Sequence, residues 1–226
     1  MPKSKIIKEL VNDEISLEKA LHRVIVLAKD LKDFKLEQWA KNEIRGYSNP
    51  EEIPEYRRVN FIFIGSYIGG GLKYNDAPLP MEFLKQLSPE EQKNITTYKM
   101  KESLGFLKLS IEKNEKLGRP VTPENMQLFS VGTNTEILLA RGEINLPEII
   151  AIVNEVKTRV LDILCELEDK FGCLDDMDIS NGSDTIKEEA RQKINQIIIC
   201  DTYNNMEIGD GNTIKKSNFL SKLFKK

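Results

Sequence analysis

Between Pro147 and Gly172, the residues Ile149, Val153, Val156, Val160, Ile163, Leu167 and Phe171 return in steps of three and four, the period of one helix face. A helix carrying that seam cannot stand alone in water. At about 25 cal/mol per Å2 of apolar surface, burying it is worth on the order of 10 kcal/mol before ordering entropy is subtracted. Another helix must therefore cover it, from this chain or from a second copy. Pro147 suits the first helical position, where a missing N–H costs nothing, and Gly172 suits the stop.

The N-terminal part repeats the same logic on a smaller scale. Ser16 is placed to cap a helix whose buried face is Leu17, Ala20, Leu21, Val24, Ile25, Ala28 and Leu31. Asp33 caps the next, with Leu36, Trp39, Ala40 and Ile44 inward and Gly46 as the left-handed stop. The pair should form an antiparallel hairpin, with a short helix at about 5–11 across its open end. Pro50 and Pro54 then impose extended backbone, and residues 59–64 (VNFIFI) read as a β-strand. Gly69-Gly70-Gly71 turns the chain toward a partner strand at Leu72 to Tyr74.

From Pro78 to Pro123 the signals are weaker: helical turns near 81–87 and 89–94, then a helix over about 102–114 that Gly105 weakens. Glu136 to Ala140 is either a strand or the lead-in to the long helix. After Gly172, residues 173–184 are acidic and rich in Ser, Asn and Gly, the composition of a linker. Thr185 with Glu188 fits a capping box for a short helix to about Asn195. Ile197-Ile198-Ile199 then turns to strand propensity, and Asp210-Gly211 between Met206, Ile208 and Ile214 signals a hairpin. The fold class is α+β, mainly α. It comprises an N-terminal helical hairpin with a small antiparallel sheet, a long C-terminal helix, and a short C-terminal helix plus β-hairpin tail.

Composition sets the function classes aside one by one. With 33 Lys and Arg against 36 Asp and Glu, the net charge of -3 gives no global attraction to nucleic acid or anionic lipid. The charged N-terminus lacks the apolar core of a secretory signal, and no run approaches about 20 apolar residues, so a cytoplasmic protein is expected. Cys165, Cys173 and Cys200 form no CxxC pair and read as buried spectator thiols, while His22, the single histidine, lies on a helix flank without a nucleophile motif. The glycines around 65–71 fit neither phosphate-cradle spacing. Counted from Asp176, the acidic loop has Asn181 at the calcium loop's glycine position and Lys187 in place of its glutamate. No metal set and no cofactor are expected.

The residues Leu27-Ala28, Leu31, Leu36, Trp39, Glu43, Gly46-Tyr47, Pro54 and Tyr56-Arg57 resemble the AbiTii domain of bacterial abortive-infection loci. The spacing LA..L....L..W...EI.GY followed by IPEYR carries the likeness, with Ile44 where leucine is more usual. It covers residues 1 to about 70 well and continues more loosely to about 170. With the boundary that composition places after Gly172, this gives an AbiTii-like body over 1–172, a linker over 173–184 and a tail over 185–226. The resemblance also implies a role in antiviral defence, as toxin or sensor, without naming a reaction.

Trp39 and Glu43, four apart, share a helix stripe, so the carboxylate can reach Arg57 beyond the Gly46 stop. The preferred reading is a buried Glu-Arg brace. The same residues, with Tyr47, Tyr56 and Arg58, form the candidate binding set if the site instead holds an anion or nucleotide. Self-association is assigned to Ile197, Ile199, Met206, Ile208 and Ile214, since exposed strand edges recruit further strands. The expected partner is a second copy or a protein encoded nearby. Two alternatives stay open: a metal-dependent nuclease using Glu43 and the acidic loop, and a membrane-acting effector through residues 219–226, where Phe219, Leu220, Leu223 and Phe224 alternate with lysines.

Overall fold

The computed structural model describes residues 3–180 and 182–199. Three helices open the chain: α1 (Lys5–Val11), α2 (Leu17–Leu31) and α3 (Phe34–Arg45). Both expected caps form, Ser16 Oγ accepting from Lys19 N at 3.3 Å and Asp33 Oδ1 from Leu36 N at 3.1 Å. α2 and α3 pack on one another across the turn at Lys32 and Asp33. Ala20, Leu21, Val24, Leu27 and Leu31 are buried along the way, as the periodicity requires.

The sheet follows. Strand β1 (Arg58–Gly69) runs five residues beyond the Val59–Ile64 expectation, and β2 (Leu72–Pro78) returns beside it. Gly70 and Gly71, at φ 58° and 78°, make the reversal in a conformation that residues with a Cβ disfavour. Helix α4 (Pro89–Thr96) has a complete capping box between Ser88 and Glu91, and short β3 (Thr97–Lys99) pairs with the start of β1. Next come α5 (Leu104–Glu112), β4 (Leu117–Pro120), the single turn α6 (Pro123–Met126) and β5 (Thr135–Ile144). The main sheet order is β2-β1-β5-β4, antiparallel throughout. Residues 136–140 are thus strand, and Asn145 separates them from the long helix α7 (Leu146–Phe171).

α7 is the spine of the molecule, and its seam is covered within the chain. Its first turns put Ile149 and Ile152 among Val59, Met100, Leu107 and Ile144, on the sheet side. Its later turns put Val156, Val160, Ile163 and Leu167 into the core built by α1, α2 and α3. A third apolar cluster, Phe63, Leu79, Phe83, Phe129 and Ala140, lies against the sheet.

Three expectations need correcting after Gly172. The last helix, α8 (Asp184–Ile199), starts one residue before Thr185, and Ser183 receives its first amide hydrogen bonds, from Ile186 N to Oγ and from Lys187 N to the carbonyl. Glu188 pairs with Arg191 instead of closing a capping box. The helix also runs through Ile197-Ile198-Ile199, because Ala190, Ile194 and Ile197 bury into the α2–α3–α7 core, and that burial outweighs the strand propensity of three isoleucines. The acidic stretch before it is tied down as well: Leu174 and Ile179 are buried, and Leu174 N donates to Ser4 Oγ at 2.9 Å. Cys165 is half-buried, but Cys173, next to the Gly172 stop, is exposed, so it is no buried thiol. The proposed hairpin at 206–214, the segment 219–226 and Cys200 fall outside the described residues.

Candidate functional site

Five of the six candidate residues form one cluster, in which Tyr47, Tyr56 and Arg57 donate to the Glu43 carboxylate and Trp39 joins through Tyr56. α3 carries Trp39 and Glu43 on its buried face, and Gly46, at φ 91°, ends the helix where the chain runs beside residue 101. A Cβ at Gly46 would stand 2.8 Å from the Lys101 carbonyl oxygen, which accepts from Tyr47 N at 2.8 Å. That close approach turns Tyr47 back over the helix it has just left. Pro54 then starts a single tight turn, Glu55–Arg57, that brings Tyr56 and Arg57 in from the opposite side.

Glu43 Oε1 accepts from Tyr47 OH at 2.6 Å, Tyr56 OH at 2.7 Å and Arg57 Nε at 3.1 Å; Oε2 accepts from Arg57 Nη2 at 2.5 Å. Trp39 Nε1 donates to Tyr56 OH at 2.9 Å. Arg57 turns its remaining nitrogen, Nη1, to the carbonyls of Met100 (3.0 Å) and Glu102 (2.8 Å). Glu43 and Arg57 are both 0% exposed. The ion pair is bidentate, and every charged atom of it has a partner, the condition under which a buried pair is tolerated.

The electrostatics follow from this geometry. Burial first, then the Glu43 charge, pushes the hydroxyls of Tyr47 and Tyr56 far above their ordinary value, which keeps them protonated as donors to Glu43. Burial works against the Arg57 cation, but the adjacent Glu43 carboxylate more than offsets it, and the guanidinium sits above its usual value. Four donors from Tyr47, Tyr56 and Arg57 thus engage the two buried oxygens of Glu43, three on Oε1 and one on Oε2.

Arg58 stands apart. It forks onto Glu55 (Nε to Oε2, 2.7 Å; Nη2 to Oε1, 2.9 Å) and reaches Thr97 Oγ1 at 3.0 Å. Lys99 joins Glu55 at 2.6 Å. The bonds from Arg58 and then those from Lys99 outweigh partial burial and hold the Glu55 carboxyl at about 2.

One member of the cluster escaped the sequence reading. Arg159 of α7 is 1% exposed, its guanidinium carbon 4.3 Å from the centroid of the Tyr56 ring. It donates from Nε to Glu155 Oε1 at 2.9 Å and from Nη1 to the carbonyls of Ile197 and, at 3.1 Å, Ile198. A lone arginine between Val156 and Val160 on an apolar seam was the available signal. The brace thereby extends from α3, through Tyr56 and Arg159, to the end of α8.

The AbiTii family model matches residues 4–195, from the lead-in to α1 into the last turns of α8. The chain belongs to the AbiTii family. Neither a curated protein nor a solved structure matches it. The family is named for abortive infection, a bacterial defence against phage, so the match supports that broad role and leaves the mechanism to the site. In the AbiTii chain the described residues contain no group of three or more His, Cys, Asp or Glu side chains placed to hold a metal ion. Asp175 and Asp178 of the acidic loop accept from backbone amides, of Lys5 at 2.6 Å and Ser180 at 2.8 Å. Among the described residues no helix is long and apolar enough to cross a membrane.

Of the self-association set, Ile197 faces the core and Ile199 is exposed, while Met206, Ile208 and Ile214 lie outside the described residues. Beside the brace, a groove of about 670 Å3 runs between α3, the 50–55 segment and the end of α8; Phe34, Trp39, Glu52, Ile53 and Ile199 are among its walls.

Proposed function

We propose that this AbiTii chain serves antiviral defence by contact with protein, a second copy or a neighbour's product, and not by a covalent step of its own. The observation that carries the reading is Glu43. The single residue named for catalysis beside the acidic loop is fully buried and held by Tyr47, Tyr56 and two nitrogens of Arg57. A group so saturated holds structure together. Contact is supported by Ile199, exposed at the end of α8, which leads into the Met206, Ile208 and Ile214 segment assigned to self-association.

The test pairs mass with protection. Light scattering compares the full chain with one ending after Ile199, a boundary that leaves α8 and its core residues in place. Phage titre is measured on bacteria expressing each. The reading predicts an assembled full chain, a monomeric shorter one, and loss of protection with loss of assembly. Purified protein that cleaves plasmid, tRNA or total RNA with Mg2+ or Mn2+, and stops doing so on Glu43→Gln, would contradict it.

A further inference from the structure

The groove beside the brace leaves apolar surface open where a folded chain ordinarily covers it. Phe34 on one wall is 73% exposed and Ile199 on another is 64% exposed; between them Ile198 is half-buried and Trp39 and Ile53 are buried, forming the floor. Exposed aromatic and branched side chains gathered in one concavity mark a docking surface. Its rim is acidic. Glu51 and Glu52 are exposed, and among the described residues neither has a Lys or Arg partner; Glu52 accepts only from the amides of Asn42 and Asn49, at 3.0 and 3.3 Å. Of the cations in the lining, Lys99 is held on Glu55, which leaves Lys35 on the α3 wall.

The position of the chain singles out the occupant. The described residues end at Ile199, itself a lining residue, so everything that follows starts at the mouth of the groove. Residues 200–214 carry Asp201, Glu207 and Asp210 and no Lys or Arg, so the rim repels them. Residues 215–226 reverse the sign: Lys215, Lys216, Lys222, Lys225 and Lys226, no acid, and the apolar set Phe219, Leu220, Leu223 and Phe224. Nineteen residues, 200–218, lie between Ile199 and Phe219 and can span at most about 65 Å, more than the return to the groove requires, and attachment to the same chain raises the local concentration of the basic end there. A segment from another molecule at micromolar concentration does not compete with that.

We propose that residues 219–226 dock in this groove of their own chain, Phe219, Leu223 and Phe224 covering Phe34 and Ile199, and Lys222, Lys225 and Lys226 meeting Glu51 and Glu52. The apolar contacts hold the segment and the charge pairs set its direction. A docked tail covers Ile199, so assembly is left to Met206, Ile208 and Ile214, and the two claims are tested apart.

Carbodiimide cross-linking of the full chain, read by peptide mass spectrometry, tests it. The expected products join Lys222, Lys225 or Lys226 to Glu51 or Glu52. In an equal mixture of ordinary and 15N-labelled chains they carry a single isotope label, because they form within one molecule. Phe219→Ser/Leu223→Ser/Phe224→Ser keeps every lysine, leaves residues 3–199 unchanged and should lower the yield of these products severalfold. Products that mix the labels, that fall on other carboxylates, or that are absent would overturn the proposal, as would unchanged yield in the triple variant.

Discussion

The guanidinium carbon of Arg159 lies 4.3 Å from the centroid of the Tyr56 ring, which joins the buried Glu43 cluster to the last turn of α8. One arginine thus does two jobs. Its Nη1 donates to the Ile197 and Ile198 carbonyls, which among the described residues accept from no helix amide, and its plane stacks on the phenol that Glu43 holds. The end of α8 and the end of α3 are parts of one polar structure although residues 43 and 197 are far apart in sequence.

Arg159→Ala should cost about 2–4 kcal/mol, since it leaves buried carbonyls without a donor. Arg159→Lys should recover little, because an ammonium cannot fork and stack at once. Hydrogen exchange locates the effect: amides in the last turns of α8 should exchange faster in both variants, while those of α2 change little.

Tyr56→Phe removes a hydroxyl that accepts from Trp39 and donates to Glu43. The indole N–H loses its acceptor without gaining water, so a loss of about 1–3 kcal/mol is expected from urea unfolding. Trp39 is the single tryptophan, and its emission should change in the folded variant.

Gly46→Ala places a methyl group 2.8 Å from the Lys101 carbonyl oxygen at a φ of 91°. Strain and clash together should lower stability by about 1–3 kcal/mol. Gly105→Ala, where a methyl group meets open space inside α5, should be neutral or stabilising by about 0.5–1 kcal/mol, which makes it the matched control.

Acid should unfold the protein through two carboxylates. Arg58 and then Lys99, against partial burial, hold Glu55 at about 2, below the ordinary 4.5. At Glu168 burial pushes upward, but hydrogen bonds from Lys3 and Ser4 prevail and also bring it to about 2. Both folded values lie below the unfolded ones, so the unfolded chain takes up protons first. Their contribution is present above about pH 4.5 and is lost as the pH falls toward about 2. Thermal unfolding across that window should show a falling Tm, and Glu55→Gln should flatten the fall.

What the residues revealed in advance was local. The four-residue spacing of Trp39 and Glu43, the stop at Gly46 and the reach to Arg57 follow from helix geometry, and the brace forms as that geometry requires. The α7 seam was legible because its period survives over 26 residues. What stayed hidden depends on distant partners. Strand β4, Leu117-Gly118-Arg119-Pro120, has little strand propensity and exists because β5 pairs with it. Ile197 to Ile199 stay helical because of the core they enter and the Arg159 donor beneath them, and Ser183, not Thr185, meets the first amides of α8. Leu174 and Ile179 sit in a segment whose composition is that of a linker, and only the docking of α8 and α1 shows why two apolar residues are there.

Whether the Glu43 cluster holds the fold together or works on a substrate is decided by urea unfolding of Glu43→Gln beside the natural protein. A brace that loses its charge leaves the Arg57 guanidinium uncompensated in the interior, and the variant should lose about 3–5 kcal/mol. Carboxylates kept for chemistry sit at a cost to the fold, so replacing one leaves stability equal or raises it. A Glu43→Gln protein as stable as the natural one, or more so, would contradict the account.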